Sequence, residues 1–260
     1  MSAEIKCTRE KALRKQADSP TSKMLDLWHS LCYEKLGTTI EVLVADRKQF
    51  PYHGISTHQG ELNTTFLQTY NDRLILILLL ESPKKIDMLI VTHELGHFIL
   101  KLQGLKTFVD KSDNTYELLD SLCSHPALYL LQRSLGHDPQ KEIDQRVTHD
   151  IAFLRTKIET ADEETNIKNA LYYADNLINC SRSHRIGLER ILNKKLPRTA
   201  ELVKKIMEVK NSRDISKVDQ ALPFSKDVVQ KLGLAGNWSE SDDIEDLRRQ
   251  IAKLKLNSER

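Results

Sequence analysis

The spacing of apolar residues changes within the first third of the chain and predicts its first elements. Residues 23–36 carry apolar side chains at near-helical intervals, and Gly37 follows them as a helix terminator. Residues 39–44 alternate and are rich in β-branched side chains, whereas residues 73–80 form a continuous apolar run. The sequence therefore predicts a helix followed by a small, mostly antiparallel sheet.

The next pattern predicts a helix that places two histidines on its inward face. Ser82 and Pro83 suit the N-cap and the first position of a helix, and Gly104 suits its end. The residues at helical spacing between them are Ile86, Leu89, Ile90, His93, His97 and Leu100. Because the histidines share the apolar stripe, we expect them to point toward the interior.

Helical patterns dominate the rest of the chain. A polar connector at residues 107–114 leads to a helix at 115–134, and further helices follow from residue 141 onward. Polar joints between these helices are expected near Asp162, Ser181, Pro197 and Pro223. The last helix, residues 242–256, has apolar residues at heptad-like spacing over about two heptads, which is too few for a stable coiled coil. We therefore expect this helix to dock against the chain's own core.

Together these patterns predict an α+β fold in three parts. Residues 1–20 are polar and are expected to form a disordered tail. Residues 21–138 are expected to form a domain in which the small sheet packs on the histidine-bearing helix, and residues 139–260 a largely α-helical extension. A chain of 260 residues, of which 40% are hydrophobic, can bury cores of this size.

Composition argues against several classes of protein. A net charge of +2 predicts no nucleic-acid partner. The longest apolar stretch, residues 74–80, is too short to cross a bilayer, and the N-terminus lacks the apolar core of a signal peptide. The four cysteines form no C-x-x-C pair, so neither a disulfide framework nor a cysteine zinc site is indicated. We expect a cytoplasmic protein without a membrane segment.

The chemistry of the chain is concentrated in the motif His93-Glu94-Leu95-Gly96-His97. Residues four apart on a helix lie on one face, with Cβ atoms about 5–6 Å apart, so both imidazoles can bind one ion. The glutamate between them can take a proton from a water whose pKa the ion has lowered to roughly 7. The motif predicts Zn²⁺ bound by His93 and His97, with Glu94 as the general base.

A catalytic zinc needs a third protein ligand, and the residues leave this choice open. The metzincin pattern requires a glycine and a histidine where this chain has Leu100 and Gln103. An acid on the following helix is the other source, and Glu117 is the first candidate, with Asp120 as an acceptor for an imidazole N–H. Asp120 and His125 remain alternatives as the ligand itself.

The block from Thr92 to His97, preceded by an apolar strand and followed by an acidic helix, resembles the ImmA/IrrE family of gluzincin-type metallopeptidases over residues 40–135. The resemblance implies that His93, His97 and Glu117 bind zinc, that Glu94 is the general base, and that the substrate is an intracellular protein, such as a regulatory factor. In zincins the strand before the motif helix is an edge to which the substrate adds, and here this would be residues 73–80.

Two alternatives to a peptidase are kept. The chain can be a non-catalytic protein that uses a zincin fold for binding or regulation, or a helical scaffold whose motif histidines are core residues. The residue that stabilises the oxyanion is also left open among Tyr52, His53, His58, Tyr116 and His125. The sequence predicts neither the oligomeric state nor the cleavage site.

Overall fold

A computed structural model describes most of the chain. The described residues are 7–46, 64–70, 73–80, 86–109, 115–159, 162–241 and 243–258. The chain divides into two compact units. The first comprises Met1–Gln103, Ser134–His137 and Asp243–Arg260, and the second comprises Gly104–Arg133 and Asp138–Asp242. The fold is α+β, as predicted, with several helices and a small mixed sheet.

The first unit contains the main sheet and the histidine-bearing helix. Its elements are β1 (Cys7–Arg9), α1 (Glu10–Gln16), α2 (Ser19–Leu36), β2 (Glu41–Asp46), β3 (Thr64–Tyr70), β4 (Arg73–Leu80), α3 (Met88–Leu102) and α10 (Asp243–Ser258). Helix α3 packs against α2, α10 and the strands β3 and β4. The predicted packing of the sheet on this helix, and the docking of the last helix on the chain's own core, are confirmed.

The sheet has the strand order β1-β2-β4-β3. Strand β2 pairs in parallel with β4, while β1 and β3 pair antiparallel with β2 and β4. Strand β4 is therefore internal, and all five residues from Ile75 to Leu79 are buried. Burial on both faces explains why its sequence is continuously apolar rather than alternating. The expectation that β4 offers an edge to a substrate is wrong, because β2 and β3 occupy both of its edges.

Helix α2 is anchored to the sheet and to α3 through Trp28. The fully buried indole donates its Nε1–H to the carbonyl oxygen of Ile40 at 2.8 Å, and its ring meets Phe98 of α3 edge-on at 6.3 Å. The side chain of Asp18 caps the helix by accepting from the N–H of Thr21. Gly37 ends it with φ of +66°, a conformation that glycine adopts without strain.

The second unit is mainly helical. Its elements are β5 (Phe108–Val109), α4 (Thr115–Leu135), α5 (Gln140–Leu154), α6 (Glu163–Asn179), α7 (Arg182–Lys195), α8 (Pro197–Asn211), a 3₁₀ turn (Val218–Gln220), α9 (Ala221–Leu232) and β6 (Ser239–Glu240). The last two residues of α4 belong to the first unit. The predicted joints at Asp162, Ser181 and Pro197 are confirmed, because each of these residues lies at a helix start.

Several element boundaries differ from the sequence analysis. Residues 7–16 form β1 and α1 rather than a tail, and Pro223 lies inside α9 rather than at a joint. Helix α3 begins at Met88, where the side chain of Asp87 accepts from the N–H of Leu89. The proposed start at Ser82 and Pro83 lies outside the described residues.

The division into units also differs from the predicted boundary at residue 138. Most of α4 groups with the later helices, and α10 groups with the sheet. The assignment of residues 21–138 as a zincin-like domain stays a prediction. None of the described helices combines the length and apolar character needed to cross a bilayer.

Candidate metal centre

Helix α3 fixes the position of the motif. Its apolar face is fully buried at Val91, Leu95 and Ile99. His93 and His97, one turn apart beside this face, are partly buried. Because the helix is packed on the sheet and on α2, both histidines leave the backbone at fixed positions on the same side of the helix.

The two motif imidazoles converge at their Nε2 atoms, which lie 3.3 Å apart. Their ring centroids are 5.0 Å apart and the ring planes are nearly perpendicular, at 82°. Two nitrogens bound to one tetrahedral zinc at about 2.0–2.1 Å would be separated by about 3.3 Å. The geometry of the pair therefore fits a shared metal ion without any movement of the helix.

The turn that carries the motif is tied to the start of α2. The hydroxyl of Thr92 donates to the carbonyl oxygen of Leu89 and lies 2.9 Å from Nδ1 of His137. The other ring nitrogen of His137 lies 2.9 Å from Oδ2 of Asp18, the N-cap of α2. His137 therefore links the two helices immediately next to His93, which restricts rotation of the motif turn.

A third histidine joins this pair. One ring nitrogen from each of His93, His97 and His125 lies within 4.8 Å of the other two, so the three side chains could hold a metal ion. His125 lies on α4 and is 7% exposed. Its Nδ1 is 2.7 Å from Oδ2 of Asp175, a buried acid on α6. His125 is one of the alternative third ligands predicted from the sequence.

The two acids proposed from the sequence lie on the same helix as His125. Glu117 is in the first turn of α4 and is partly buried, and it is not a member of the three-histidine group. Asp120 accepts a hydrogen bond from the hydroxyl of Thr107 at 2.6 Å. Glu117 as a zinc ligand stays a prediction, and so does Asp120 as an acceptor for an imidazole.

Two side chains near His125, those of Cys123 and Tyr129, have raised pKa values and stay neutral. A thiolate ligand from Cys123 is therefore not expected. Burial raises the pKa of Cys123 well above its ordinary value, and nearby Asp120 and Asp175 raise it further. Burial also raises the pKa of Tyr129 to about 12, with Asp175 contributing. The ring of Tyr129 lies 5.2 Å from that of His125. Cys123 therefore remains a thiol and Tyr129 a neutral phenol at physiological pH.

Glu94 lies between the two motif histidines on α3 and is partly buried. Four of the candidate oxyanion-stabilising residues, Tyr52, His53, His58 and the side chain of Tyr116, lie outside what the structure describes. His125, the fifth, belongs instead to the group of three histidines that could hold a metal ion. The structure therefore gives positions for the proposed base and for three possible ligands.

Comparison with known proteins does not assign the chain to a family. No protein-family model, curated protein or solved structure matches the chain. The resemblance to the ImmA/IrrE family stays a prediction carried by the motif residues.

Asp175 is the residue of this site that the sequence analysis missed. It lies on α6 between the buried residues Ala174 and Asn176, four positions after the buried Leu171. An acid on an inward helix face needs a polar partner, and this was the available signal. The partner could not be named, because 50 positions separate Asp175 from His125 in the sequence.

Proposed function

We propose that this protein is a zinc-dependent metallo-endopeptidase that hydrolyses peptide bonds with Glu94 as its general base. The observation that carries the proposal is the 3.3 Å separation of the Nε2 atoms of His93 and His97 within a His-Glu-x-x-His motif. The donor set of imidazoles fits zinc, for which neutral histidine is a preferred ligand. His125 is the third ligand in this proposal.

Each motif residue has one role in the reaction. His93, His97 and His125 would hold the ion, and Glu94 would accept a proton from the attacking water and later donate it to the leaving amine. Bound zinc would polarise the scissile carbonyl and lower the pKa of the water to roughly 7. No side chain of the protein needs to form a covalent bond to the substrate.

The resemblance suggests the substrate class, and the cysteines suggest the compartment. The ImmA/IrrE resemblance suggests an intracellular protein, such as a regulatory factor, as the substrate. All four cysteines are free thiols, and three of them are buried. Free thiols persist in a reducing compartment, so we place the activity in the cytoplasm.

The test is a Glu94→Gln variant compared with wild type and with Glu142→Gln, which changes an exposed acid on α5. We expect all three proteins to bind equal amounts of zinc in metal analysis. Glu94→Gln should lose about 100- to 10,000-fold in kcat on a peptide library or a candidate regulator, because general-base catalysis contributes about that much.

Two results would contradict the proposal. Wild-type protein that binds zinc but cleaves neither library nor regulator would instead support a non-catalytic binding or regulatory protein. Wild-type protein that binds no zinc, and that melts at the same temperature with and without a strong chelator, would leave the motif histidines as core residues.

A further inference from the structure

A buried acid determines which ring nitrogen of His125 carries the proton. Nδ1 of His125 lies 2.7 Å from Oδ2 of Asp175, and both residues are less than a tenth exposed. A carboxylate can only accept a hydrogen bond, so Nδ1 holds the proton of the neutral imidazole. The lone pair is then on Nε2, and this is the atom through which the ring can bind a cation.

Asp175 is itself held in place by its neighbours. Its Oδ1 accepts from the side-chain amide of Asn179, one turn later on α6, at 2.7 Å. Nη2 of Arg146 lies 3.9 Å from Oδ2 and neutralises charge at this buried position. Because Asn179 occupies Oδ1, Oδ2 is directed at His125. The carboxylate is therefore oriented by groups that are not part of the metal cluster.

We propose that Asp175 is the positioning residue of the metal centre, which fixes the tautomer and the ring direction of His125 so that Nε2 binds the ion. The inference rests on the metal-binding role proposed above for His125. Histidines that bind metals usually donate their other N–H to a carboxylate or carbonyl, and loss of this partner typically weakens metal binding about 10- to 100-fold. A simple buried ion pair would affect folding stability without affecting metal affinity in this way.

The second unit offers a matched control. Asp150 on α5 is also a buried acid, and its carboxylate accepts from the hydroxyl of Tyr172 and from the side-chain amide of Asn176. Asp150→Asn and Asp175→Asn therefore remove the same charge from similarly buried positions. Because the hydrogen bonds of Asp150 go to Tyr172 and Asn176, the two variants separate a role at the metal from a general structural cost.

The experiment measures the zinc dissociation constant of each full-length protein by competition with a chromophoric chelator, and the melting temperature of each metal-free protein. We expect Asp175→Asn to weaken zinc binding about 10- to 100-fold, and Asp150→Asn to change it less than about threefold. Asn179→Ala, which keeps the carboxylate but removes its anchor, should show a smaller loss than Asp175→Asn. If Asp175→Asn does not fold, the zinc affinity of Asn179→Ala tests the proposal instead.

A second readout needs no metal. Nitrogen NMR of the metal-free wild type at pH 8 should show His125 with its proton on Nδ1, and Asn179→Ala should reduce the population of this tautomer. A proton on Nε2 in the wild type would overturn the inference.

The outcomes distinguish this inference from the proposed function. If wild type binds zinc, and neither Asp175→Asn nor Asn179→Ala binds it more weakly than Asp150→Asn, Asp175 has no positioning role although the metal centre stands. If wild type binds no zinc, both proposals are wrong. If zinc-loaded wild type cleaves no peptide, the peptidase proposal fails while the ranking of the zinc affinities still decides the role of Asp175.

Discussion

His125 and Glu117 are both carried by α4, but they differ in their surroundings. His125 is buried and has a buried acid on one ring nitrogen. Glu117 lies in the first turn of the helix, where the positive end of the helix dipole favours an acid without any metal. The surroundings of these two residues therefore support His125 over Glu117 as the proposed third ligand.

Substitution of each candidate ligand tests the preference for His125. His125→Ala should weaken zinc binding by at least about 100-fold, since losing a ligand costs more than losing its hydrogen-bond partner. Glu117→Ala should change the dissociation constant only slightly, and Asp120→Asn should behave as Glu117→Ala does. Equilibrium dialysis with zinc measures all three. A larger loss in Glu117→Ala than in His125→Ala would restore the ligand set predicted from the sequence.

The sequence could predict part of the site at this scale. His93, Glu94 and His97 were identified because a helix alone brings residues four apart to one face. The pairing of His125 with Asp175 depends on how α4 and α6 pack, and no local pattern contains that information. The same limit applies to His137, whose bond to the N-cap Asp18 spans 119 positions.

Among the elements, those with strong local patterns were predicted best. Strand β4 and the C-terminal end of α2 agree with the sequence analysis, because a continuous apolar run and a terminating glycine are local signals. Strand β3, Thr64–Tyr70, was missed because its polar, threonine-rich sequence is ordered by pairing with β4. Helix α1 was missed because its anchor is an acid, a residue type expected at the surface.

That anchor is Glu10, which connects three elements. Glu10 is 8% exposed, and its carboxylate accepts from Arg14, from His29 on α2 and from the N–H of Val42 on β2. Burial alone would raise the pKa of Glu10, but the hydrogen bonds from His29 and Arg14 outweigh it and hold the pKa below its ordinary value of 4.5. The ionised form is therefore bound more strongly in the folded protein.

The stability of the fold should depend on pH through Glu10. Because the folded pKa is depressed, the contribution of Glu10 is fully present above pH 4.5 and is lost as the pH falls through the lower folded value. Glu10→Gln should reduce the free energy of unfolding by about 1.5–3 kcal/mol at pH 7, the range for hydrogen bonds to charged groups.

Urea unfolding of wild type and variant at pH 7 and pH 3 measures this effect. The difference between them should be smaller at pH 3 than at pH 7, because below pH 4.5 the unfolded state binds a proton that the folded carboxylate resists, and the glutamine variant lacks this effect. Glu34→Gln, which changes an exposed acid on α2, serves as the control and should differ little from wild type at either pH. A difference for Glu10→Gln that stays constant with pH would contradict the assignment.

The first unit is discontinuous in sequence. It takes α10 from the end of the chain, and α10 packs against the motif helix α3. Leu247 and Ile251, one turn apart on α10, are both buried. The last helix is therefore part of the structure that supports the motif, and a boundary between a motif-bearing domain and a C-terminal extension cannot be drawn at one residue.

The corresponding prediction concerns Leu247. Leu247→Ala should lower the free energy of unfolding by about 2–5 kcal/mol, as for other buried leucines, and Lys253→Ala on the exposed side of α10 should change it by less than about 0.5 kcal/mol. Urea unfolding followed by tryptophan fluorescence measures both. Equal stability of the two variants would mean that α10 is dispensable for the fold of the first unit.

The spacing of His93 and His97 on a single helix also bears on which ion the protein carries. Because the helix pitch sets this pair, the chelate that it would form does not favour zinc over the other divalent transition ions. In the Irving–Williams order, Cu²⁺ binds more tightly than either Ni²⁺ or Zn²⁺ to the same ligands. Selectivity for zinc must then come from the remaining ligand and from the supply of ions in the cell. Protein purified from copper- or nickel-rich medium should carry those ions in place of zinc.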